Sequence, residues 1–105
     1  MFEEIRQFQL NDIKLVLIDD IGEMVYSQNC GEIYDYLMIT NHTVNMLKEF
    51  KKSFIYCEIK FENFYIRAFS IKEYMAFYLK DKVFTFGEKK LIEKINEKIK
   101  NIIED

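Results

Sequence analysis

Few side chains in this 105-residue sequence could act on a substrate, and their spacing limits what they could do. His42 is the only imidazole. A general base needs a partner that orients it, and the residues at helical spacing from His42 are Met38, Asn45 and Met46. It therefore reads as a surface or interface residue. Asp19, Asp20 and Glu23 gather at one turn, but a calcium loop needs more oxygen ligands at fixed spacing. They read as turn chemistry. Cys30 and Cys57 stand far apart, and one histidine cannot complete a zinc set with them. Reduced, packed thiols are expected. Glycines at 22, 31 and 87 make neither G-x-G-x-x-G nor a phosphate loop, so the chain is not expected to be a GTPase itself. Ser27, Ser53 and Ser70 lie in no nucleophile-elbow context. The expectation is a protein without catalytic residues, metal ligands or cofactor.

Ten phenylalanines and seven tyrosines invite a base-stacking reading. Stacking proteins pair their rings with a positively charged groove, whereas this chain has a pI near 5.2. Arg67, between Tyr65 and Phe69 on one strand face, comes nearest, and that alternation equally describes core packing plus one exposed base. Nucleic acid is not an expected partner. Charge is divided along the chain: residues 1–40 carry eight acids against Arg6 and Lys14, a net −6, within a total of −3. With half its residues apolar, the chain can fold as one domain over residues 1–105. No apolar run approaches the ~20 residues that span a bilayer, and the Met1-Phe2-Glu3-Glu4 start is not that of a secretory signal. A cytoplasmic domain without membrane insertion is expected.

With no proline and three glycines, element boundaries must be read from changes of hydrophobic period. Phe2, Ile5 and Phe8 recur at spacings of three and predict a short helix over residues 1–9, stopped at Asn11 or Asp12. Ile13–Ile18 is apolar on both faces, a strand that needs cover on both sides. Asp19–Gly22 is a turn, because aspartate bonds its own backbone and glycine accepts positive φ. Glu23–Ser27 is the hairpin partner. From Glu32 to about Lys51 the period becomes helical, with Ile33, Leu37, Thr40, Val44 and Leu47 in line. Phe54–Phe61 alternates, Cys57 and Ile59 on one face and Tyr56, Glu58 and Lys60 on the other. Phe64–Ile71 and Tyr74–Leu79 follow as strands. Thr85 and Glu88 form a capping box, and Leu91, Ile92, Ile95, Ile99, Ile102 and Ile103 make the last helix amphipathic.

The order α-β-β-α-β-β-β-α predicts one five-stranded, mainly antiparallel sheet. The middle helix would cover one face and the terminal helices the other, an α/β/α sandwich. This order resembles the roadblock/dynein light chain family and its profilin-like topology. So do the hairpin Leu15–Ser27 with its acidic turn ending in Gly22, and the passage from Met75–Leu79 through a polar loop to Gly87. Two features depart from the family pattern: the opening helix is short, and Lys89-Lys90 stand where many members have an arginine. Longin-like and PAS-like modules share similar topology, and a sensor of that type would hold a small apolar ligand.

The roadblock resemblance implies a non-enzymatic homodimer whose third strands pair edge to edge and whose middle helices pack together. It implies a platform that binds, tethers or activates a small Ras-like GTPase. The residues add their own argument. The strand over residues 54–61 carries no proline and is rich in β-formers, whereas edges of monomers are usually blunted. Antiparallel self-pairing would let Glu58 and Lys60 meet their opposites across a twofold axis, with Tyr56 on the same face. On the middle helix, Ile39, Met46 and Phe50 form a second semi-apolar strip suited to an interface. Met38, His42, Asn45 and Glu49, on a further face, are the candidate partner-binding residues.

Overall fold

The computed structural model describes residues 1–31 and 56–104. Within them the chain runs through a 3-10 turn (Glu3–Gln7), β1 (Lys14–Ile18), β2 (Met24–Gln28), β3 (Tyr56–Lys60), β4 (Tyr65–Ile71), β5 (Tyr74–Lys80) and a helix, α1 (Phe86–Glu104). The five strands form one sheet in the order β2-β1-β5-β4-β3, and every neighbouring pair is antiparallel. The expected middle helix over residues 32–51 lies outside the described residues.

Alternation puts the two-faced strands to work. Leu15 and Leu17 of β1, with Ala76 and Tyr78 of β5, face α1 and the opening turn, where Phe2, Ile5, Leu10, Phe84, Ile92, Ile95 and Ile99 complete one core. Val16 and Ile18, with Phe77 and Leu79, face the other way and join Ile66 and Ala68 in a second core. The terminal elements therefore share one face, as expected. Each fully buried isoleucine of α1 contributes about 1.5–3 kcal/mol, so this face anchors the helix firmly.

The opening segment departs from its expected length and type. It is a 3-10 turn, closed by the Ile5 amide donating to the Phe2 carbonyl (3.1 Å) and the Phe8 amide to the Ile5 carbonyl (3.0 Å). A repeat of three matches 3.0 residues per turn better than 3.6, and 3-10 runs are short. The stop therefore falls at Phe8, whose backbone is already extended, ahead of Asn11 and Asp12. The hairpin turn forms as the residue types dictate. The Asp19 Oδ1 accepts from the Ile21 amide (3.1 Å) and the Glu23 amide (2.8 Å), and Gly22 takes φ +89°. A bulge between Leu17 and Ile18 shifts the register, so that β2 begins at Met24 and runs to Gln28.

The start of α1 is a true capping box. The Glu88 amide donates to the Thr85 hydroxyl (3.2 Å), and the Glu88 carboxylate accepts from the Thr85 amide (2.8 Å). The same carboxylate takes both its oxygens to within 2.6 Å of the Lys80 Nζ. Lys80 extends β5 one residue past the expected end and is buried, with a relative exposure of 8%. This pair locks the helix N-terminus to the end of a central strand.

Candidate functional site

β3 is an edge. Among the described residues it pairs with β4 alone, in the register Tyr56↔Phe69, Cys57↔Ala68, Glu58↔Arg67, Ile59↔Ile66, Lys60↔Tyr65. The Phe61 amide donates to the Phe64 carbonyl (2.8 Å), which continues the same register. Antiparallel ladders alternate between hydrogen-bonded and non-hydrogen-bonded pairs. Counting back from Phe61, Ile59 and Cys57 direct their backbone bonds toward β4. The amides and carbonyls of Tyr56, Glu58 and Lys60 therefore point away from the sheet. Three successive donor–acceptor positions line the open margin, and such groups are a template for another strand.

The side chains sort as the alternation predicts. Cys57 and Ile59 are half-buried against the second core, while Tyr56, Glu58 and Lys60 are exposed on the face shared with α1. The Tyr56 hydroxyl donates to the Glu58 Oε2 (2.7 Å). Burial, followed by that bond, pushes the Tyr56 hydroxyl up to about 12, so it keeps its proton. The Lys60 ammonium lies 5.8 Å from the centre of the Tyr65 ring.

Arg67 corrects the sequence reading. It is not an exposed base: its side chain keeps only 12% of its surface. The guanidinium lies 4.8 Å from the Tyr56 ring, 5.8 Å from Phe69 and 5.9 Å from Phe84. Its Nε and Nη1 are buried and have no hydrogen-bond acceptor among the described residues. Among the described residues, the carboxylate oxygen in ion-pair range is Glu58 Oε2, 3.9 Å from Nη1 and beyond hydrogen-bond distance. The sequence signal is its place one strand in from the edge between two aromatic neighbours. Only the cross-strand pairing with Glu58 discloses what it does there.

Of the expected interface residues, Tyr56, Glu58 and Lys60 come together on this margin. Ile39, Met46 and Phe50, and the partner-binding candidates Met38, His42, Asn45 and Glu49, lie outside the described residues. Cys30 and Cys57 are free thiols, each half-buried, and burial raises both thiol pKa values. No group of three or more His, Cys, Asp or Glu side chains gathers as a metal site among the described residues.

A five-stranded antiparallel sheet of this order, with its terminal elements on one face and β3 at the margin, is a roadblock/LC7-like fold. The chain is similar to MglB of Myxococcus xanthus at a TM-score of 0.76 and 13% identity, covering 96% of this chain and 83% of that one. It is similar to the gliding protein MglB of Thermus thermophilus at a TM-score of 0.74 and 12% identity, covering 98% and 88%. A Roadblock/LC7 domain from Streptomyces avermitilis superposes at 0.63 with 4% identity, covering 88% and 85%. No family model and no curated protein matches the sequence. At these identities the shared property is the path of the backbone.

Proposed function

We propose that this chain is a non-enzymatic scaffold that pairs with a second copy through β3 and presents the resulting platform to a small Ras-like GTPase, which it tethers or stimulates. The observation that carries the reading is the open β3 margin on a roadblock-like sheet. Among the described residues, Tyr56, Glu58 and Lys60 offer backbone groups without a partner there, and no proline blunts the strand. The proteins of similar fold include the gliding protein MglB, which supports a place for the platform in a system of that kind.

Stimulation would come from reorganising the partner's switch regions, the platform favouring one conformation of what it binds. No helix among the described residues is long and apolar enough to cross a membrane, and the proposed platform works in the cytoplasm. Sedimentation equilibrium combined with GTP-hydrolysis and binding measurements on a Ras-like GTPase from the same genome tests the reading. A dimer that binds the GTPase supports it. A monomer overturns it, and a monomer carrying a buried apolar small molecule does so in favour of a sensor.

A further inference from the structure

We propose that β3 accepts its second copy in a single register, centred on Ile59, and that the Arg67–Glu58 pair sets that register. The inference rests on the platform reading and adds which residues meet and why others do not. A continuous sheet across a twofold axis keeps each residue on its own face, so the axis must pass through a residue and not between two. Four centres fall within reach of the described edge. Centring on Glu58 sets Glu58 against its own copy, and centring on Lys60 sets Lys60 against Lys60 of the partner subunit. Like charges directly opposite are destabilising. Centring on Cys57 sets Glu58 opposite the partner's Tyr56, so that the carboxylate meets no cation directly across the margin.

Centring on Ile59 sets Glu58 opposite the partner's Lys60, and Lys60 opposite the partner's Glu58. Both residues of each pair turn their backbone groups outward, so each pair exchanges two main-chain hydrogen bonds as well as opposing charges. Ile59 meets its copy on the axis, on the face of the second core.

Arg67 explains why Glu58 is the selecting charge. Arg67 and Glu58 are cross-strand partners, and the buried guanidinium stands 3.9 Å from the Glu58 carboxylate. Tyr56 and Arg67 both approach the Glu58 Oε2, which leaves Oε1 for a cation arriving across the margin. In the assembled sheet the row reads Lys60 of the partner subunit, Glu58, Arg67. Charges alternate over three strands on one face. A foreign edge offering an acid or an apolar residue opposite Glu58 forfeits that alternation, so the margin selects its own copy. Arg67 is a positioning residue here, acting through Glu58.

Oxidative crosslinking tests the register. A non-hydrogen-bonded antiparallel pair brings its Cα atoms to about 4.5 Å, within disulfide range. The double variant Cys57→Ser/Ile59→Cys is therefore expected to form a covalent dimer. In this register the two Cys57 residues stand four positions out of line, about 13 Å, so the unaltered protein is expected to give no Cys57 crosslink. Lys60→Glu, which leaves Arg67 and Glu58 intact, is expected to weaken dimerisation roughly tenfold or more by sedimentation. Adding Glu58→Gln to Lys60→Glu recovers only the part of that loss that comes from like-charge repulsion. Three results overturn the register while leaving the platform reading standing: a Cys57 crosslink in a dimeric wild type, a dimeric Cys57→Ser/Ile59→Cys variant that does not crosslink, or an unchanged affinity for Lys60→Glu. A monomeric wild type overturns both.

Discussion

Glu88→Gln isolates the contact that joins α1 to the sheet. Lys80 and Glu88 meet at 2.6 Å with 7% and 20% of their side-chain surfaces exposed. Removing one partner of a fully buried pair costs roughly 3–5 kcal/mol, because the other charge is stranded. Glutamine still accepts from the Thr85 amide, and the site keeps some contact with water, so about 2 kcal/mol is expected. With a urea slope of about 1.5 kcal/mol per M for a chain of this size, the midpoint falls by about 1.3 M.

Lys80→Met keeps the apolar stem and leaves the capping box intact, so its cost is about 1 kcal/mol or less. The double variant is expected to resemble Lys80→Met, giving a coupling of about 1–2 kcal/mol between the two positions. Acid supplies a second check. Partial burial by itself would raise the Glu88 carboxyl, but the Lys80 ammonium and the Thr85 amide together bring it below its ordinary 4.5. A carboxyl depressed by folding stabilises fully above its unfolded value and loses that stabilisation as pH falls through the lower folded value. The gap between wild type and Glu88→Gln is therefore expected to be constant from pH 7 to about pH 5 and to close below pH 4.5. All midpoints are compared at one protein concentration, because association shifts them. A Glu88→Gln midpoint within about 0.3 M of wild type, or two single losses that simply add in the double variant, refutes the reasoning.

Four further outcomes are expected. Under the platform reading, Lys60→Pro removes an amide that points off the sheet, so dimerisation is lost in sedimentation while the urea midpoint moves little; Ile59→Pro removes one that serves β4 and lowers the midpoint itself. Gly22→Ala costs about 1 kcal/mol in urea unfolding, since the site has open space around the added methyl and the penalty is the φ of +89° alone. Tyr78→Phe costs about 1 kcal/mol by the same measurement, because the buried hydroxyl donates to the Asn96 Oδ1 at 2.7 Å. Under the platform reading, His42→Ala leaves GTPase stimulation nearly intact, and a loss above about tenfold with fold and dimer preserved shows the imidazole to be functional.

The elements legible in the sequence are those whose signals are local. The capping box at Thr85 and Glu88, the six-residue apolar stripe of α1, and the Asp19–Gly22 turn each depend on residues a few positions apart. The structure reproduces all three. The two-sided burial of β1 and β5 is legible too, because a strand apolar on both faces has only one stable surrounding. The type of the opening turn is not, since three apolar residues at a repeat of three cannot separate 3.0 from 3.6 residues per turn.

The alternation of Tyr56, Glu58 and Lys60 and the scarcity of breakers mark a strand suited to an open edge, and these depend on sequence alone. Strand order, which decides that β3 is a margin and β1 a centre, arises from pairings between residues some sixty positions apart, such as Val16 with Phe77. Arg67 and Lys80 show the same division. Each looks like an ordinary surface base on its own strand, and each is buried because folding sets a carboxylate beside it, Glu58 across the ladder and Glu88 across the loop. A charge leaves water only where a neighbouring element supplies the compensating charge, and it is the fold that sets the two elements side by side.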